Sequence, residues 1–256
     1  MKWVNYICLF LILFLVLSPI LFMGVFSFSD NRFITFPVEQ YSTKWYQSIA
    51  HNADLENSLL ITLLTGASVA ALSVCFGFMS GYWLVHARGF NKQLVLALFT
   101  IPAIVPLILY GLGFLEFTRH IGIARTLLAM IIGHTVIFSP LATVYFYHQI
   151  SKLNLDIEHA ARELGASEFT IIIQIVAGQI KKNIFVCLTI VFALSWDEYI
   201  VSWFVTGFKK TYAVQVRNML ESTFSPEVFA VGSITGAISL ILLSVVYRFS
   251  RKELLV

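Results

Sequence analysis

Six long apolar runs, separated by polar intervals, account for most of the chain. They are Tyr6–Phe26, Ser58–Val85, Leu94–Phe114, Thr126–Phe146, Ile184–Val205 and Phe229–Val246. A helix needs about 20 apolar residues to cross a hydrocarbon core about 30 Å thick. Each run meets or approaches that length, so the pattern predicts an all-α integral membrane protein with six transmembrane helices. The first run follows Lys2 but is too long for a signal-peptide core of about 7–15 residues, and no small-x-small cleavage site follows it. It reads as a retained helix.

The polar intervals are unequal. The longest are residues 27–56 and 147–183. The second is amphipathic and charged, with Lys152, Asp156, Glu158, Arg162, Glu163, Glu168, Lys181 and Lys182. No low-complexity segment, Pro/Gly-rich linker or internal repeat divides the chain. It reads as a single transmembrane domain over residues 1–256, with a first span at about 6–26, a core region at about 55–250 and a polar loop at about 150–182.

Composition agrees with the pattern. The chain is 58% hydrophobic and 12% charged, where soluble domains average about 25% charged residues, and its mean hydropathy is +0.83. A net charge of +3 gives no reason to expect nucleic acid as a partner; membrane lipid is the expected surroundings. With the N-terminus inside, ten Lys and Arg fall on the cytoplasmic side (Lys2, Arg88, Lys92, Lys152, Arg162, Lys181, Lys182, Arg248, Arg251, Lys252). Seven fall outside (Arg32, Lys44, Arg119, Arg125, Lys209, Lys210, Arg217). The bias has the positive-inside sign and supports N-in and C-in.

The chemistry of catalysis is missing from the pattern. Cys8, Cys75 and Cys187 sit in separate apolar runs and read as small apolar residues, without metal or disulfide spacing. The six histidines show no ligand pairing and no phosphate-binding G-x-x-x-x-G-K-[ST] loop occurs. Without a nucleophile, base and metal constellation, the chain is expected to be no enzyme and to carry no cofactor. Any ATP would be bound by another chain.

Packing signals lie within the spans. Gly66, Ala70, Ser73, Gly77 and Gly81 share one face of the second helix, and Gly232 and Gly236 form G-x-x-x-G on the sixth. Small faces let helix backbones approach closely in lipid. Two readings stand: packing within this chain, or a face for a second subunit. Pro102 and Pro106 in the third helix and Pro140 in the fourth can kink them, for a pathway or for shape alone. His134 reads as a hydrogen-bonded packing residue. Ser225, Pro226 and Glu227 read as the cap and first turn of the sixth helix.

Asp197 and Glu198 stand about two-thirds along the fifth helix, beside Trp196, Tyr199 and Trp203. A carboxylate at the bilayer centre costs at least about 2.5–3.5 kcal/mol and usually faces a bundle interior or a water cavity. An acidic pair among aromatic faces suits a cationic substrate, which makes Trp196, Asp197, Glu198 and Tyr199 pathway candidates. The alternatives are an interfacial aromatic belt and structural pairing with Lys or Arg.

The polar segment from Asp156 to Thr170 carries the most information. Asp156 and Glu158 favour the start of a helix, Ala160 to Leu164 propagate it, Gly165 ends it in a left-handed conformation, and Ser167 caps the next. The prediction is a short helix, a tight turn and a second helix outside the membrane. Ala160 and Ala161 offer a smooth surface that another protein can approach.

This segment resembles the EAA loop of ATP-binding-cassette (ABC) importer permeases, which joins the fourth and fifth helices of a six-helix subunit of MetI-like fold. Its Ala-Ala-x-x-x-Gly core is here Ala160, Ala161 and Gly165. Two positions depart from the family: His159 precedes the alanines, with Glu158 one place earlier, and Ala177-Gly178 stands where Leu-Pro is frequent. Further matches are Asn57-Ser58-Leu59, Arg88-Gly89-Phe90, Leu194 through Gly207, Ser225-Pro226-Glu227-Val228, Ser27-Phe28-Ser29 and Trp45-Tyr46. The later ones resemble the polyamine permease branch.

The resemblance implies an inner-membrane, multi-pass bacterial permease subunit without chemistry of its own. It implies a second homologous permease chain, two copies of a cytoplasmic ATP-binding subunit and an extracytoplasmic substrate-binding protein as partners. Glu158, His159, Ala160, Ala161, Glu163 and Gly165 become the ATPase-coupling residues. Spermidine or putrescine is the implied cargo, with ferric iron, thiamine or an aminophosphonate as alternatives. An ion-coupled carrier that relays protons through Asp197 and Glu198 is the alternative of a different class.

Overall fold

The computed structural model describes residues 2–31, 35–89, 91–222 and 226–250. Arg32, Phe90, Ser225, Arg251 and Lys252, each used above, lie outside the described residues. The chain is helical, and among the described residues the only β-pairing is an isolated bridge between Ser29 and Tyr41.

The elements in order are α1 (Lys2–Phe26), α2 (Lys44–Ala50), α3 (Ala53–His86), α4 (Lys92–Ile104), α5 (Leu107–His120), α6 (Leu127–Ile150) and α7 (Asp156–Glu163). There follow α8 (Glu168–Thr170), a π-helical stretch (Ile171–Val176), α9 (Ala177–Gln179), α10 (Lys181–Asp197), α11 (Ile200–Val205), α12 (Tyr212–Ser222) and α13 (Glu227–Ser250).

Within the described residues, four helices are long and apolar enough to cross a membrane: α1 from Tyr6, α3, α6 and α13. The number rises to six if each of two bent pairs counts as one span. The first bent pair corrects the expectation of a continuous third helix. Val105 turns extended (ψ 132°) because the ring of Pro106 crowds the helical conformation of the residue before it. α4 and α5 consequently meet at 79°. Pro102 and Pro140 stay inside their helices. The second bent pair joins residues 168–179 to α10, also at 79°.

The fifth helix is likewise not continuous. It stops at Asp197, Glu198 is extended (φ −72°, ψ 107°), and α11 begins at Ile200. The two carboxylates therefore mark a break, where the apolar run had suggested an unbroken helix.

Two compact units can be distinguished, Met1–Leu59 with Tyr212–Ile241, and Leu60–Thr211 with Leu242–Val256. In the first, Met23 of α1 fills the notch at Gly232, where an added Cβ would lie 2.6 Å from its sulfur. The rings of Phe26 and Phe229 pack at a tilt beside it, 5.8 Å between centroids. The loop after α1 is tied down by Trp45 Nε1 donating to the Ser29 carbonyl (2.7 Å) and by the hydroxyls of Ser27 and Tyr46 (2.8 Å). Asp30 pairs with Lys44 at 2.9 Å, which holds its carboxyl below the usual carboxylate range.

The core of the second unit lies between α3, α6 and α10. Val69, Val74 and Phe78 meet Ala142, Phe146 and Ile150, and Ile171, Val176, Cys187 and Val191 close the third side. The small-residue face of α3 is spent here. A Cβ on Gly77 would fall 2.4 Å from Ala142 Cβ, one on Gly81 2.8 Å from the Tyr147 nitrogen, and one on Gly66 3.0 Å from the Phe192 ring. Of the two readings of this stripe, packing within the chain is the one the geometry realises. A smaller cluster joins Met130 and Ile137 of α6 to Val201 and Val205 of α11, with Tyr110 and Phe114 of α5 against it.

Candidate coupling segment and broken-helix site

The coupling segment folds as its residues dictate. Asn154 Oδ1 accepts the Asp156 N–H at 3.0 Å and opens α7. Gly165 closes it at φ +83°, a conformation open to glycine at little steric cost. The Gly165 N–H reaches the Arg162 carbonyl and the Ala166 N–H the Ala161 carbonyl, both at 3.0 Å. These are the two bonds of a Schellman stop. Ser167 then caps α8 by accepting from the Thr170 N–H at 3.2 Å.

α7 is amphipathic in a way that separates the six candidate residues. Glu158 is buried (2% exposed), and Ala161 and Ala166 pack against the core of the unit. His159, Ala160, Glu163 and Gly165 are exposed. The alanines, taken together as one smooth surface from the sequence, split between two faces, because successive residues of a helix stand about 100° apart. Ile157, Ala160 and Leu164, at i, i+3 and i+7, make an outward apolar stripe. Leu164 is 88% exposed, and Phe169 beyond the turn is 75% exposed.

The inward face holds a polar cluster. Glu158 Oε2 lies 3.0 Å from His86 Nε2 and 3.5 Å from an Arg162 nitrogen, and it accepts from the Tyr82 hydroxyl at 3.2 Å. Arg162 forks onto Glu168 at 2.7 and 3.1 Å. That hydrogen-bonded pairing raises the Arg162 pKa further and fixes its charge. Glu158 and Arg162 share a face by their i, i+4 spacing, and so do Tyr82 and His86. The sequence contains both pairs but not their meeting, since 76 residues separate Tyr82 from Glu158.

The second site sits at the break between α10 and α11. Glu198 is 7% exposed. Its carboxylate accepts the N–H groups of Val201 (2.9 Å) and Ser202 (3.0 Å), the first turn of α11. His134 of α6, fully buried, brings Nε2 to 3.1 Å from Glu198 Oε2 and 3.0 Å from the Ser202 hydroxyl, and Nδ1 to 2.9 Å from the Ser195 hydroxyl. The carboxylate does find a structural partner, but the partner is a histidine and a helix end, where Lys or Arg had been considered. Trp196 is buried (4% exposed), Tyr199 half-buried and Asp197 exposed. Ser195 and Ser202 went unnoticed in the sequence. Their signal was spacing, since residues 195, 198 and 202 recur at steps of three and four.

Among the described residues no group of three or more His, Cys, Asp or Glu is placed to hold a metal ion.

These features belong together in one kind of protein. Residues 73–254, more than half of the chain, match the family of binding-protein-dependent transport system inner membrane components, and the protein belongs to that family. It is a permease subunit of the ABC importer type.

Spermidine/putrescine transport system permease protein PotC of Escherichia coli (strain K12) is 26% identical over 227 residues, covering 88% of this chain and 85% of that one. Putrescine transport system permease protein PotI of the same strain is 24% identical over 245 residues, covering 92% and 87%. The fold is shared with a bacterial ABC transporter involved in the import of the acidic polysaccharide alginate. It aligns at TM-score 0.73 and 18% identity, covering 98% of this chain and 95% of that chain. The relatives are transport permeases in name, and the alternative of an ion-coupled carrier gives way to this membership.

Proposed function

We propose that the chain is the transmembrane subunit through which a polyamine, spermidine or putrescine, crosses the inner membrane, and that α7 is its dock for a cytoplasmic ATP-binding subunit. The observation that carries the docking role is the outward stripe of Ile157, Ala160 and Leu164 on a helix whose other face is fixed to the core. An exposed apolar surface rimmed by polar residues marks an interaction site. α6, about 36 Å long at 1.5 Å per residue, separates this segment from the loop at Arg125. The dock and that loop then lie on opposite sides of a bilayer.

In this reading the chain has six spans, each bent pair counting once, with both termini on the cytoplasmic side as the charge bias favours. It works with a second homologous permease chain, two copies of the ATP-binding subunit and an extracytoplasmic binding protein. ATP-driven closure of the ATPase moves α7, and the helices alternate between outward and inward openings. The single domain over residues 1–256 is the moving unit of this scheme.

A polyamine is favoured by the names of the relatives and by Asp197, an exposed carboxylate beside Tyr199 at a helix break. Glu198 and Trp196 hold that break in place, and Asp197 with Tyr199 meets the cation. The alginate transporter shares the fold with an acidic cargo, so the fold itself does not select the charge.

The test is co-purification of the subunit with its ATP-binding partner, wild type against Leu164→Asp and Gly165→Asp at equal membrane expression. Retention by wild type and loss by Leu164→Asp is the expected result. Retention by neither would sink the docking role. Uptake of labelled spermidine by the reconstituted complex, absent for an uncharged solute of similar length, checks the cargo.

A further inference from the structure

α7 is covalently continuous with α6 on one side and with α8 and α10 on the other. It has no sequence link to α3, yet its buried face reaches the end of that helix through side chains alone. We infer that Tyr82, His86, Glu158, Arg162 and Glu168 form a latch that ties α7 to the end of α3, so that a displacement of α7 is handed to the second span as well as to its chain neighbours. The inference rests on the reading of α7 as the ATPase dock. It gives Glu158 a positioning role inside the chain and leaves docking to the exposed stripe.

The chemistry of the contact gives it a property of its own. His86 Nδ1 lies 2.9 Å from the Tyr82 carbonyl. A carbonyl oxygen can only accept, so Nδ1 carries a proton. His86 Nε2 is 3.0 Å from Glu158 Oε2, off the direction of an aligned hydrogen bond. Two lone pairs at that distance repel, so the contact attracts when a proton is shared between Nε2 and the carboxyl group. The Tyr82 and His86 rings pack at 4.2 Å between centroids and hold the imidazole in place.

Other charges around the pair are accounted for. Arg162 and the Tyr82 hydroxyl face Glu158, Glu168 is held by Arg162, and Lys92 at the start of α4 donates to the Val85 carbonyl at 2.6 Å.

Among the described residues, Glu158 Oε1 is buried without a hydrogen-bond partner. Buried polar atoms are nearly always satisfied, and an idle carboxylate oxygen weakens the hold on the charge. An incompletely compensated contact suits an element that releases and re-forms during a cycle better than one built for rigidity. An amide in place of the carboxylate keeps the contact, because its N–H can donate to a neutral Nε2.

The experiment uses the full importer complex in proteoliposomes and measures cargo moved per ATP hydrolysed. Wild type is compared with Glu158→Ala and Glu158→Gln. Hydrogen exchange of residues 156–163 is followed in the same preparations.

Glu158→Ala is expected to keep the ATPase bound, to lose on the order of tenfold in cargo per ATP, and to exchange faster over 156–163. Glu158→Gln, which keeps a polar contact to His86, is expected to stay near the wild-type value in both readouts.

Unchanged coupling and unchanged exchange in Glu158→Ala would overturn the latch. Loss of the ATPase from Glu158→Ala with retention by Glu158→Gln would place Glu158 in docking and overturn it too. If wild type itself binds no ATPase, the docking reading fails. The exchange of 156–163 still decides then whether Glu158 fastens α7 to α3.

Discussion

Glu198 Oε2 stands 3.1 Å from His134 Nε2, and the same carboxylate receives two backbone N–H groups from the first turn of α11. One side chain thereby joins α6 to α11 and accepts from the first N–H donors of a helix that begins inside an apolar run. A carboxylate there is costly unless it is paired and hydrogen-bonded, and here each of its oxygens has a partner. His134 meets the Ser195 and Ser202 hydroxyls as well, so the break is fixed from both sides.

Glu198→Ala is expected to destabilise the subunit by about 1–3 kcal/mol for each buried donor left without its acceptor. It would strand the Val201 and Ser202 N–H groups and leave His134 Nε2 with the Ser202 hydroxyl as its partner. Thermal unfolding in detergent measures this, and a melting temperature equal to wild type would show that the cap is dispensable.

Asp197→Asn should behave in the opposite way. Asp197 is exposed and makes no ion pair among the described residues, so stability is expected to move by less than about 0.5 kcal/mol, as for ordinary surface changes. Uptake of spermidine is expected to fall at unchanged ATPase retention. Normal uptake by this variant would remove Asp197 from the pathway.

Gly77→Ala tests the closest approach of α3 and α6. The new methyl would lie 2.4 Å from Ala142 Cβ, with Ala142 and Thr143 backbone atoms directly behind it at 2.7 and 2.8 Å. Nothing flexible can give way, and overpacking of this kind costs about 1–3 kcal/mol. Gly178→Ala, with open space around its Cβ, is the control, and helical propensity makes it neutral or stabilising. Equal melting temperatures for the two variants would contradict the packing.

Glu168→Gln is expected to be mild. Its side chain is 64% exposed, and an exposed pair is worth about 0–1 kcal/mol even with a bidentate arginine. Glu158→Ala removes a buried charge from beside Arg162 and His86 and should lower the melting temperature more. A larger loss from Glu168→Gln would reverse the ranking of the two acids.

Much of this was legible in the residues. The apolar runs located the spans to within a few residues at α1, α3, α6 and α13, because a helix in lipid must be about 20 residues long and apolar throughout. The coupling segment was legible because its signals are local: Gly165 at positive φ, Ser167 as a cap and acids in the first turn of α7 act over four residues or fewer. The interruption near Pro106 was half visible as a kink, and its 79° bend was not.

The sequence by itself determined the class of protein, the helical composition and the turn that shapes the coupling segment, since periodicity and capping depend on near neighbours. Tertiary structure alone decided which acid of each candidate pair is buried. Glu198 rather than Asp197 turned inward because His134, 64 residues earlier, offers it an imidazole. Glu158 turned inward because Tyr82 and His86 wait at the end of α3. A charged side chain goes where the folded chain places donors, and those donors come from helices distant in sequence, so no local pattern announces them.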